Sequence, residues 1–296
     1  MDSSSKVRRV LWYTLILNLT VAGAKIAYGY ISDSISMTAD GFHSMLDGSS
    51  NVIGLIGIWI ASQPPDESHP YGHRKFETFA SLAVAGFLFI SCFEILKKSL
   101  YRFITPNHPE STITSFVIMG ITLSVNIGVM LYEKKKGREL KSSFLIADSM
   151  HTMSDIFVSI SVIITLIAIK IGYPMLDAVA AAGITIIIGR TGYRIVRESS
   201  DVLMDASVIN GNRIKDVVMT VKGVKECHRI RTRGMQGHIY VDLHVKVDPE
   251  MSINDAHNIS YFVEQELKKR FAEITDVVVH IEPYRQNSKA DILSNK

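Results

Sequence analysis

Two cysteines among 296 residues, Cys92 in an apolar run and Cys227 in a polar region, give neither a C-x-x-C pair nor a disulfide framework. A dominant charge sign is also missing. The 32 Lys and Arg oppose 29 Asp and Glu, for a net charge of +3. No basic helix or aromatic-interleaved patch accompanies that balance, so nucleic-acid binding is set aside as a class. No H-E-x-x-H motif occurs, which removes the usual zinc-hydrolase signature. No small-residue cleavage site follows the first apolar run, which is too long for a signal-peptide core and reads as a retained membrane helix.

What the chain has is apolar length. Hydrophobic residues make up 47% and charged ones only 21%, with the apolar runs concentrated before about residue 200. Six runs, at 10–31, 36–61, 77–101, 113–132, 143–171 and 176–197, are long enough to cross about 30 Å of hydrocarbon. Asn18 and Lys25 interrupt the first and read chiefly as packing or interfacial residues. Lys6, Arg8 and Arg9, then Arg74 and Lys75, then Lys134, Lys135, Lys136, Arg138 and Lys141 fall on one side of the alternating runs. The positive-inside rule then puts both termini in the cytoplasm, with Lys97, Lys98 and Arg102 as the minority exception.

One pattern occurs twice inside these runs. Ala39-Asp40-x-x-His43-x-x-x-Asp47 returns as Ala147-Asp148-x-x-His151-x-x-x-Asp155. At about 100° per residue, spacings of three and four align each Asp, His and Asp on one helix face. Ionisable groups are costly in lipid, so both faces must look into protein or a wet cavity. Turned toward each other, His43, Asp47, His151 and Asp155 offer two imidazoles and two carboxylates, a donor set suited to zinc. The alternative is that each His pairs with its own Asp and merely ties helices together. Asp40 and Asp148 sit a turn away, as hydrogen-bond acceptors for ligands, residues of the ion path or helix-helix contacts.

Two further clusters contain metal-ligating types. Asp66, His69 and His73, between the second and third runs, are close enough in sequence to meet on one ion or to remain solvated. After about residue 206 the periodicity changes: a helix near 210–222, strands near 226–233 and 238–247, a helix near 253–270 and a strand near 277–282. The turn Gly234-Met-Gln-Gly237 joins the first two strands, and the order α, β, β, α, β gives a small α+β domain. Alternation puts Ile239, Val241, Leu243, Val245 and Val247 on one face, and Tyr240, Asp242, His244 and Lys246 on the other. Ser252 caps the second helix, with Asp255 three residues on. Five of the ten histidines fall in this part: His228, His238, His244, His257 and His280.

The six apolar runs, S-x-S-x-x-A-D-x-x-H-x-x-x-D in the second and A-D-x-x-H-x-x-x-D in the fifth resemble the cation diffusion facilitators, a family of divalent-metal/proton antiporters. The resemblance covers nearly the whole chain. It implies a six-helix transmembrane domain (1–205), then a cytoplasmic ferredoxin-like, metallochaperone-like α+β domain (206–284); 285–296 reads as a disordered tail. It implies a transport site at His43, Asp47, His151 and Asp155, of the zinc type because both pairs begin with His. Asp-rich versions are associated with manganese or iron, and imidazole suits zinc better.

D-x-x-H-x-x-G-H-x-K-x-E resembles a loop that binds a second zinc through Asp66, His69 and His73. Its Lys75 corresponds to a salt-bridge position whose partner here is Asp205. H-x-x-R-T-R, the strand His, the helix His and H-x-E-P match a zinc pair at a dimer interface, implying His228, His244, His257, His280 and Glu282 as ligands. Glu282 stands where some relatives have Asp. The histidine-rich insertion of many zinc exporters is missing from the fourth loop.

The resemblance thus implies a homodimer in the plasma or inner membrane, exchanging cytoplasmic zinc for protons, not an enzyme and without nucleic acid. Broader metals (cadmium, cobalt, iron, manganese) are the first alternative. A non-transporting metal sensor and a membrane zinc hydrolase are rivals, opposed by His and Asp on two spanning runs and by four filled ligand positions.

Overall fold

The computed structural model describes residues 3–31, 41–42, 44–45, 48–104, 113–170 and 175–285. Asp40, His43, Asp47 and the expected tail from 286 lie outside the described residues. The chain forms two compact units, Met1–Ser200 and Asp201–Lys296.

The first unit is helical: α1 (Ser3–Ile31), α2 (Ser49–Ala61), α3 (Lys75–Ile104), α4 (Ile113–Leu140), α5 (Ser143–Lys170) and α6 (Met175–Leu203). Among the described residues Ser4–Ile31 and Lys75–Lys97 are long and apolar enough to cross a membrane, and Ser49–Ala61 is a shorter apolar helix. Burial is reversed relative to a water-soluble bundle. Trp12, Ile16, Trp59, Phe89, Phe93 and Ile121 are exposed, whereas Asn51, Glu133, Asp148 and His151 are buried. That distribution suits a bundle whose outer solvent is lipid and whose interior carries the polar work.

The interior packs Leu11, Ile58, Val84, Leu88, Phe144, Leu145 and Ile188 into one cluster. Close approach depends on glycine. A Cβ on Gly54 of α2 would lie 2.2 Å from the Phe144 ring of α5, the small-residue contact by which membrane helices gain dispersion energy. Glu77 of α3 holds the start of α5, accepting from Ser142 Oγ at 2.6 Å and Phe144 N at 3.3 Å.

One expectation is corrected here. The fourth apolar run ends at 132, but its helix continues to Leu140, so Lys134 to Leu140 is helix and not loop. The helix outlasts the hydrocarbon because Lys and Arg are good helix formers once water solvates them. Gly137 is a packing residue, with Ile146 N 3.0 Å from where its Cβ would be, and the chain turns only at Lys141 (φ 53°).

The second unit runs α7 (Gly211–Val218), β1 (Glu226–Met235), β2 (His238–Val247), α8 (Ile253–Arg270), β3 (Ile274–Pro283). Its sheet has the order β1-β2-β3, with β1 antiparallel and β3 parallel to the central β2. Alternation in β2 is as expected: Ile239, Val241, Leu243, Val245 and Val247 are buried against Ile214 of α7 and Ile259, Val263 and Leu267 of α8. Helix α7 is shorter than the expected 210–222, ending in turns after Val218, and β3 starts three residues earlier than 277. Ser252 caps α8 by accepting from Asp255 N at 3.1 Å, while its own hydroxyl donates to the Asp255 carboxylate at 2.7 Å.

Candidate metal centres

Helix α5 brings Asp148, His151 and Asp155 to one polar pocket, which Asn18, Ser44, Ser50, Asn51, Thr122, Asn126 and Thr152 help to line. The three-and-four spacing therefore does place the triplet on one face, and that face looks inward. His151 is 4% exposed and its Nδ1 has no hydrogen-bond partner among the described residues, so a ring nitrogen there is uncommitted. The Lys25 ammonium donates to Ser44 Oγ at 2.9 Å and lies within electrostatic reach of Asp155. Lys25 is thus an interior residue, 7% exposed, where interfacial snorkelling was one of the alternatives.

Asp148 has a different environment from the other two. One oxygen accepts from Ser50 Oγ at 2.9 Å, the other from Asn51 Nδ2 at 2.9 Å. Asn51 Nδ2 also donates to Thr14 Oγ1 at 3.1 Å, and its Oδ1 accepts from Asn18 Nδ2 at 3.1 Å. The carboxylate is thereby tied to α1 and α2, consistent with the helix-helix role among the alternatives for it.

Sequence reasoning passed over Ser50, Asn51 and Glu133. Glu133 of α4 is 1% exposed, accepts from Thr152 Oγ1 at 3.3 Å, neighbours Asp148 and has no partner for Oε1 among the described residues. A signal existed: Thr122, Asn126 and Glu133 recur at spacings of four and seven, one polar stripe on a helix. Ending that helix at residue 132 hid it. Likewise Ser50 and Asn51 continue the stripe of His43 and Asp47 by one more turn.

In the loop before α3, Asp66, His69 and His73 come within metal-ligating reach of one another. Asp66 Oδ1 accepts from His69 N at 2.6 Å, His73 Nε2 is 3.3 Å from Asp66 Oδ2, and the two rings are 4.4 Å apart. The backbone N–H of His69, followed by its side chain and the charge of His73, holds the Asp66 carboxyl below the ordinary carboxylate range. Oxygen and two imidazoles form three of the four donors a zinc ion takes.

In the second unit strand register gathers the ligands. His228 stands opposite His244 and His244 opposite His280, a row across all three strands on the face away from the helices. Glu282 Oε1 is 2.7 Å from His244 Nδ1, and its Oε2 is 3.3 Å from His228 Nε2. That bond from His244, then the charges of His228, His244 and His280, keep the Glu282 carboxyl low. His228, His244 and Glu282 converge as a potential ion site; His280 Nε2 stays 3.9 Å from Glu282. His257 departs from the expected set. It is exposed on α8, the helix covering the opposite face of the sheet, so within one chain it does not join the cluster. His238 hydrogen-bonds Thr275 at 3.4 Å, away from the row.

Residues 11–204 match the family profile of the cation efflux transmembrane domain, and 207–284 that of the cation efflux protein cytoplasmic domain. The chain is 31% identical over 282 residues to the uncharacterized transporter MJ0449 of Methanocaldococcus jannaschii, covering 94% of this chain and 98% of that protein. It is 30% identical to the manganese efflux system protein MneP of Bacillus subtilis, covering 94% and 96%. To metal tolerance protein C1 of Arabidopsis thaliana it is 27% identical, covering 91% of this chain and 61% of that protein.

Proposed function

This chain belongs to the cation efflux family, the cation diffusion facilitators, and from that premise we propose that it exports zinc in exchange for protons by alternating access. As a family member it is an integral membrane metal transporter and a homodimer, in a family of transporters and not of enzymes. The observation that carries the zinc reading is the polar pocket holding His151 and Asp155, with a buried imidazole nitrogen that has no partner among the described residues. His43 and Asp47 of the repeated motif supply the other two donors. Asp148, held by Ser50 and Asn51, positions α5 against α2; Asp40 is the matching residue of the first copy of the motif and a supporting candidate.

Zinc needs neutral imidazole and ionised carboxylate, so loading displaces protons and reprotonation ejects the ion. Histidine titrates near 6.5 when unperturbed, within reach of a physiological gradient. The loop site of Asp66, His69 and His73 and the sheet site of His228, His244 and Glu282 fit zinc by donor type. His280 completes the sheet site, and His257 contributes only across the dimer interface. Both termini lie in the cytoplasm, and zinc on the cytoplasmic sites favours one transport state.

A second reading has one specific support: relatives named for manganese efflux, MneP at 30% and MneS of Bacillus subtilis at 31% identity. Manganese favours oxygen donors, whereas two imidazoles tilt a site toward zinc. Competition decides between them. In proteoliposomes, zinc flux surviving a large excess of manganese, and lost in Asp155→Ala, is the expected result. Manganese flux that zinc fails to inhibit would overturn the zinc assignment.

A further inference from the structure

Three cations gather at one groove of the helical unit. Lys134 and Arg138 stand one turn apart on α4, and Arg194 of α6 lines the same groove. Among the described residues none of the three makes an ion pair or side-chain hydrogen bond, although Lys136 beside them is paired with Glu139. From these head groups the groove continues along Met130, Met153, Phe157 and Ile187. Ser154 also lines it, 2% exposed, with a hydroxyl that has no hydrogen-bond partner among the described residues. Among the described residues, no Asp, Glu or His lines it.

Unpaired like charges on neighbouring helices repel one another, the more so where apolar walls thin the water between them. A divalent metal is excluded, because the cations repel it and the groove offers no carboxylate or imidazole. The complementary ligand has an anionic head and an apolar tail. We propose that this groove binds one anionic phospholipid, its phosphate on Lys134, Arg138 and Arg194 and an acyl chain along Met130, Met153, Phe157 and Ile187. Basic pockets between spanning helices suit such head groups. Methionines adapt to a flexible chain. Since Met153, Ser154 and Phe157 belong to α5, the lipid grips the helix that carries His151 and Asp155.

The full-length homodimer, delipidated in detergent, tests this by native mass spectrometry and thermal unfolding with phosphatidylglycerol, phosphatidylcholine or inorganic phosphate. Phosphatidylglycerol should bind and stabilise, phosphatidylcholine and phosphate should not. Lys134→Gln, Arg138→Gln and Arg194→Gln should each weaken phosphatidylglycerol binding about fivefold. The charge-keeping Arg138→Lys and Arg194→Lys should retain most of it, which guards against simple misfolding. Equal binding of the two lipids, stabilisation by inorganic phosphate alone, or undiminished lipid preference in the Gln variants would each overturn the proposal. So would crosslinking that places a second copy of the chain in the groove.

Discussion

An enclosed carboxylate is costly unless its oxygens are hydrogen-bonded, and at Asp148 both oxygens are occupied, by Ser50 and Asn51. Removing one partner strands the other. Asn51→Ala should therefore lower stability by about 1–3 kcal/mol, read as a drop in the thermal midpoint of the detergent-solubilised chain. An unchanged midpoint would mean that the network does not hold α1, α2 and α5 together. In the second unit Cys227 makes a different point about burial. It is 2% exposed, and burial pushes its thiol up to about 11. In the unfolded chain the thiol ionises nearer 9.0. Between those values the unfolded state releases its proton while the folded state keeps it, so stability falls as pH rises across that window and is unaffected below it. Wild type should lose thermal midpoint over this window relative to Cys227→Ser. Equal slopes would contradict the shift.

At the scale of elements, Gly54 of α2 leaves room for the Phe144 ring of α5 to sit against it. Gly54→Leu would drive a side chain into Phe144, costing about 1–3 kcal/mol by overpacking; thermal unfolding should register it, and a neutral result would mean the helices separate easily. In the sheet, register does what spacing cannot, aligning His228, His244 and His280 from positions far apart in sequence. Glu282→Ala should weaken zinc binding at that site on the order of tenfold or more, since a carboxylate donor goes; equilibrium dialysis of the full chain against His73→Ala separates it from the loop site.

These elements also mark what was legible from sequence. β2 and α8 were read to the residue, because strict alternation and the Ser252 cap are local signals. The α5 triplet was legible for the same reason, its spacing being a property of one helix. Glu133 was missed because its helix was ended at residue 132, and Ser50 and Asn51 because their importance lies in which carboxylate they meet. The basic stretch from Lys134 was misread because solvation and helix propensity act together there, and hydropathy reports only the first. His257 carries the same lesson, since sequence likeness assigns it to a site that one chain does not assemble.

For the whole molecule, the helical unit exposes large apolar side chains and buries Asn51, Glu133, Asp148 and His151, and the family is one of homodimeric membrane transporters. The central claim is that metal and proton move through the same site in opposite directions. It is tested most directly by trapping a pH-sensitive dye inside proteoliposomes, imposing a pH gradient and adding zinc outside. The account predicts proton exit that follows zinc entry in wild type, and neither movement in Asp155→Ala. Zinc entry without proton movement, or unchanged exchange in Asp155→Ala, would contradict it.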